Sequence, residues 1–133
     1  MSRRRALAVT AGVLALTAMA MPAVATSRKA PTAVGLGLRE YSITVYRGSV
    51  PAGRVAFNSK NFGEDAHNIQ VSGPKGFHSA ASPEVAPFGG QDRFTVTLKR
   101  PGTYTLICTL SDHAALGMTA KLKVRKPKAK KKT

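Results

Sequence analysis

The chain has no tryptophan, few aromatic residues (6%) and one cysteine, Cys108, in 133 residues. A lone cysteine excludes an internal disulfide framework. It also argues against a two-cysteine binuclear metal centre and against a structural zinc site, which draws on several thiolates. Carboxylates are scarce as well, with 6 Asp and Glu against 21 Lys and Arg, and no single motif holds two of them in the pairing that acid–base catalysis favours. Glycine (12) and proline (8) are frequent by comparison. Many short strands joined by turns would use that composition, and the length suits one domain.

Residues 1–25 read as an export signal. Ser2-Arg3-Arg4-Arg5 is a basic start, Ala6 to Met21 is an apolar stretch, and Pro22-Ala23-Val24-Ala25 ends in the A-x-A pattern of a cleavage site. The apolar run is short for a membrane span, which disfavours the rival reading of an uncleaved anchor. Ser2-Arg3-Arg4-Arg5-Ala6-Leu7 also resembles a twin-arginine signal, with Ala6 where that motif usually has Phe, so the export route stays open. The expected location is periplasmic, or more broadly extracytoplasmic or at the cell surface. In an exported chain a single thiol needs a task or a burial place.

Residues 26–33 are expected to form a flexible lead-in to one domain over 34–125. Within it, Val34, Leu36 and Leu38 alternate with glycines, and Tyr41, Ile43 and Val45 alternate with polar neighbours, as half-buried strands do. Residues 47–53 are rich in turn formers. Val55 and Phe57 continue a strand, Gln91 to Leu98 form another, Lys99-Arg100-Pro101-Gly102 is a hairpin turn, and Thr103 to Cys108 return from it. Residues 73–90 hold Pro74, Pro83 and Pro87 and are expected to be a looser crossover with a short helix or irregular strand near Ser82 to Val85. His78, in that crossover, has no partnered motif and reads as a surface histidine. Phe88 is expected to pack beside the site end or plug a core edge.

The densest chemistry lies in Cys108-Thr-Leu-Ser-Asp-His113-Ala-Ala-Leu-Gly-Met118. A thiolate, an imidazole and a thioether in a Cys-x4-His-x4-Met spacing suit copper better than calcium or magnesium. A type 1 copper site needs two imidazoles and one thiolate in a plane, with a long axial Met. The second imidazole must come from elsewhere in the chain, and His67, in Asp65-Ala66-His67-Asn68-Ile69, is the obvious candidate. Strand parity supports the set, because residues two apart face the same side. Cys108 shares its parity with Tyr104 and Leu106. Met118 shares its own with Ala120, Leu122 and Val124, and His67 shares its own with Ile69 and Val71. His113 falls mid-loop, with an edge toward solvent.

These pieces, with Gly102-Thr103-Tyr104-Thr105-Leu106-Ile107 ahead of Cys108 and Gly117 ahead of Met118, resemble the cupredoxins, the blue copper proteins. The loop spacing is similar to that of the rusticyanin and auracyanin type, and the likeness spans roughly residues 34 to 125. It implies an all-β Greek-key β-sandwich of about seven or eight strands with one type 1 copper ion at one end, held by His67, Cys108, His113 and Met118. It further implies that Asn68 ties its loop to Thr109 and points its backbone N–H at the Cys108 sulfur, as an outer contact that tunes the metal. His113 would be the electron port, with Ala114, Ala115 and Leu116 around it as an apolar contact patch.

The expected function is one-electron transfer between exported, transiently docked redox partners by a monomer. A copper carrier or storage protein and a non-redox structural β-sandwich remain as alternatives, and an enzyme is the weakest reading. Residues 126–133 are expected to be a disordered basic tail. The formal charge of +15 falls to +12 once Arg3, Arg4 and Arg5 leave with the signal. Export makes nucleic acid an unsuitable partner for that tail, and an anionic membrane surface or cell-wall polymer a better one.

Overall fold

The structure is a computed structural model that describes residues 27–127 and 129. The expected export signal (1–25) and most of the expected basic tail lie outside the described residues. Within them the chain makes nine strands: β1 (Thr32–Arg39), β2 (Ser42–Val45), β3 (Ser49–Pro51), β4 (Gly53–Asn61), β5 (Gln70–Gly73), β6 (Phe77–His78), β7 (Gln91–Leu98), β8 (Gly102–Ile107) and β9 (Thr119–Arg125). They form two sheets, ordered β2-β1-β4-β7 and β3-β9-β8-β5-β6. β1 runs parallel to β4 and β3 parallel to β9, and the other pairings are antiparallel. The expected all-β sandwich is therefore present, with more strands than the seven or eight anticipated.

The extra pieces are short. β3 lies inside the turn-rich segment 47–53, where Val50 is fully buried against β9, and β6 is a two-residue hairpin partner of β5. The lead-in is shorter than the expected 26–33, because Thr32 and Ala33 already pair with Val55 and Ala56. Near Ser82 to Val85 there is neither helix nor strand. Val85 makes one isolated bridge, to His67, and the only helical turn in the crossover is a 3-10 turn at Pro74–Gly76. Prolines 83 and 87 remove backbone donors there, which discourages a longer ladder.

Alternation fills the space between the sheets as the sequence anticipates. Val34, Leu36 and Leu38 of β1, Val55 and Phe57 of β4, and Leu98 of β7 meet Val71 of β5, Tyr104 and Leu106 of β8 and Leu122 and Val124 of β9 in one buried cluster. Tyr104 is its largest member, and its hydroxyl donates to the Arg100 carbonyl at 2.9 Å. That bond satisfies the polar tip of a ring that is otherwise buried and pins the turn between β7 and β8. Gly73 faces this ring, and a Cβ there would collide with it. The ends of β1, β4 and β8, and the starts of β5, β7 and β9, gather at one end of the sandwich, where the chemistry lies.

Candidate metal centre

Two segments far apart in the chain deliver the four candidate donors. Cys108 directly follows β8, Met118 directly precedes β9, and the Cys108 N–H donates to the Met118 carbonyl at 3.2 Å. The loop between them is closed by its own turns. Leu116 N–H donates to Asp112, Gly117 N–H to Ala114 and Met118 N–H to the His113 carbonyl at 3.0 Å. Gly117 adopts φ 103°, a left-handed backbone that glycine tolerates and other residues resist. That turn brings Met118 back inward, where it is fully buried.

His67 comes from outside this loop. Contrary to expectation, it does not open a strand but stands three residues before β5. Its backbone N–H and carbonyl both pair with Val85, at 3.2 and 2.6 Å. The parity expected of His67, Ile69 and Val71 still holds, since all three are fully buried. Asn68 breaks the alternation and is only 5% exposed. Its amide spans two loops: Nδ2 donates to Thr109 Oγ1 at 2.8 Å, and Oδ1 accepts from the Thr109 N–H at 2.8 Å. The expected tie to Thr109 is thus present. A bond from the Asn68 N–H to the Cys108 sulfur is not found among the described residues.

His67, Cys108 and His113 converge, all buried. His67 Nδ1 lies 3.2 Å from His113 Nδ1, and the Cys108 sulfur lies 4.0 Å from the first and 3.6 Å from the second. A point equidistant from the three atoms sits about 2.1 Å from each, within the roughly 2.0–2.3 Å range of metal bonds to imidazole nitrogen and thiolate sulfur. The donor set therefore fits one ion, and a soft thiolate with two imidazoles and a buried thioether selects copper.

Glu40, which the sequence analysis did not single out, completes the site. Its Oε1 lies 3.0 Å from His67 Nε2 and accepts from the backbone N–H groups of Glu64 and Asp65, each at 2.8 Å. The hydrogen bond from the Asp65 N–H, helped by those of His67 and Glu64, holds the Glu40 carboxyl below its ordinary range against the opposing effect of partial burial. A carboxylate acceptor requires the proton on Nε2, which leaves Nδ1 with a free lone pair facing Cys108 and His113. Gly63 makes room for this arrangement, since a Cβ there would strike the Glu40 carboxylate.

His113 is 7% exposed, less open than a mid-loop position implied. The ring of Tyr41, expected only as part of a half-buried strand and found just before β2, covers it with centroids 5.0 Å apart. The acidic group nearest its outer nitrogen is Asp65, at 4.0 Å, whereas Asp112 beside it in sequence receives the Ser111 hydroxyl. His78 is exposed, as expected of a surface histidine. Phe88 is 80% exposed and neither lines the site nor plugs the core.

Residues 43–125 match the family model of copper binding proteins of the plastocyanin/azurin type. No curated protein sequence matches the chain significantly. Among solved structures, the chain is similar to a dithionite-reduced auracyanin from the photosynthetic bacterium Roseiflexus castenholzii, with 24% identity and a TM-score of 0.61 over 73% of this chain and 99% of that one. Auracyanin A, a "blue" copper protein from the green thermophilic photosynthetic bacterium Chloroflexus aurantiacus, is 26% identical, with a TM-score of 0.59 over 72% of this chain and 100% of that one. Rusticyanin from Thiobacillus ferrooxidans is 20% identical, with a TM-score of 0.54 over 72% and 79% of the two chains. The family match runs from β2 to the end of β9 and encloses all four residues of the centre, and the chain belongs to the plastocyanin/azurin family of copper binding proteins.

Proposed function

We propose that the protein is an exported one-electron carrier. His67, Cys108, His113 and Met118 would hold the copper ion. The observation that carries this reading is the buried triangle of one cysteine sulfur and two imidazole nitrogens, with sides of 3.2, 3.6 and 4.0 Å. Copper bound there supplies a one-electron couple between Cu(I) and Cu(II). The chain's part is to keep the donors in place in both states. β8 and β9 fix Cys108 and Met118, the Val85 bridge and Glu40 fix His67, and the loop turns and Tyr41 fix His113. Donors held so firmly need little rearrangement when an electron arrives or leaves.

His113 is the exit for the electron. Tyr41, Leu116 and Ala115 are exposed around it, a modest apolar area suited to the small, short-lived interfaces of redox encounters. The expected Ala114, Ala115 and Leu116 patch therefore gains a tyrosine from the other sheet. Export rests on the reading of residues 1–25. Among the described residues, no helix is long and apolar enough to cross a membrane. Voltammetry of the copper-loaded chain tests the function. A reversible one-electron wave is expected. Tight Cu(I) binding without a reversible wave would point to a copper carrier or store, and failure to bind copper would leave a structural sandwich.

A further inference from the structure

Acidic residues are confined to one half of the sandwich, whereas basic residues such as Arg39, Lys60 and Arg93 occur there too. All six acidic residues lie in the half that holds the metal centre. Glu40 is in the turn after β1, Glu64 and Asp65 precede His67, Glu84 adjoins Val85, Asp92 is near the start of β7, and Asp112 is in the Cys108–Met118 loop. The far end is the reverse. Lys75 sits in the turn after β5, Lys99 and Arg100 in the turn between β7 and β8, Arg54 at the start of β4, and Arg125 and Lys126 at the end of β9. Arg28 and Lys29 share a cleft with Arg54, and Lys29 shares another with Arg125. Lys75, Lys99 and Arg100 border a third.

These turns belong to both sheets, so the positive charge covers the whole end of the molecule. Among the described residues none of these cations pairs with a carboxylate, since the only ion pairs are His67–Glu40 and His113–Asp65 at the other end. The sequence after Pro127 contains Lys128, Lys130, Lys131 and Lys132. The large exposed apolar side chains are elsewhere. Tyr41, Phe62, Phe88 and Leu116 belong to the metal half, and Tyr46 lies on the outer face of β1 over Gly35 and Gly37.

We propose that this basic end is a docking face for anionic lipid headgroups, which holds the domain upright on a bilayer surface with the metal centre pointing away. A flat, densely charged surface can engage cations from every turn at once, which a smaller soluble partner cannot. With no large apolar side chain exposed at this end, attachment is by charge and stays peripheral. Distance protects the acidic half from the same field. The 8 residues of β1 span about 26 Å at strand rise, while the field of a charged surface decays over about 8 Å at physiological salt. His113 and its patch then face soluble partners, which is the one point that rests on the proposed function.

Sedimentation with vesicles tests the proposal, using the copper-loaded chain from Thr26 onward, which contains all nine strands of the described residues. At about 0.15 M salt it should sediment with phosphatidylglycerol–phosphatidylcholine vesicles and not with phosphatidylcholine alone. A chain ending at Pro127 should bind more weakly but keep the preference. In that shorter chain Lys75→Gln/Lys99→Gln/Arg100→Gln should weaken binding by roughly fivefold per charge, about a hundredfold in all. Arg28→Gln/Lys29→Gln/Arg54→Gln should do the same through the other clefts, and Lys60→Gln/Arg93→Gln in the metal half should change nothing. The proposal is overturned if neither triple variant weakens binding, or if the metal-half pair weakens it equally. It is also overturned if the anionic vesicles do not bind while soluble polyphosphate does. Sedimented protein is measured by mass rather than colour, so this outcome is separate from that of the copper reading.

Discussion

The Glu40 carboxylate lies 3.0 Å from His67 Nε2, on the side of the ring opposite the nitrogen that faces Cys108 and His113. One acidic side chain thus fixes both the tautomer and the tilt of a metal-binding imidazole. The same oxygen gathers the Glu64 and Asp65 N–H groups, so it also shapes the loop that leads into His67.

Glu40→Ala should therefore lower copper affinity by about 10- to 100-fold, the usual cost of losing such an orienting partner, while the copper that still binds remains coloured. Competition with a calibrated chelator measures this, and an unchanged affinity would show that His67 is held by other means. Because the Glu40 carboxyl titrates below its reference value of 4.5, the stability it lends to the fold is complete above that value and is lost as the pH falls through the lowered one.

Asn68→Ala removes all three bonds to Thr109 and leaves the Thr109 N–H without its acceptor. A loss of about 1–3 kcal/mol in unfolding free energy is expected, read from denaturant unfolding of the metal-free chain. A loss under about 0.5 kcal/mol would mean that water replaces the amide without penalty.

Met118→Leu keeps volume and burial, so the fold should lose less than about 1.5 kcal/mol. Copper and colour should be retained and the reduction potential should rise, because a weak axial sulfur donor is replaced by hydrocarbon. Complete loss of copper from a folded variant would contradict an axial role.

The inner faces of the sandwich were legible because alternation is a local signal. Val34, Leu36 and Leu38, or Tyr104, Leu106 and Cys108, announce a buried face within five residues, and all six are buried. The loop from Cys108 to Met118 was legible because three donor types of one metal fall close together. What alternation could not supply were contacts between loops. Glu40 meets His67 27 residues away, and Tyr41 covers His113 from the other sheet. Neither leaves a pattern in its own neighbourhood, and the scarcity of acidic residues is the one sequence signal that bears on Glu40. Ile69 and Val71 continue the parity of His67, which by itself predicts a strand that opens at His67. In the fold, its backbone pairs once with Val85 across a proline-rich segment and the ladder begins only at Gln70. The same limits hid β3 and β6, which are too short to show a period.

The sulfur of Cys108, the apex of the triangle with His67 and His113, is the donor on which the centre depends. Copper(II) added to the purified chain, followed by visible spectroscopy, tests it. An intense blue band from thiolate-to-copper charge transfer is expected at one copper per chain, and Cys108→Ser should abolish it while the sandwich stays folded. A chain that binds copper(II) without that band, or a Cys108→Ser variant that keeps it, would contradict the assignment of the centre.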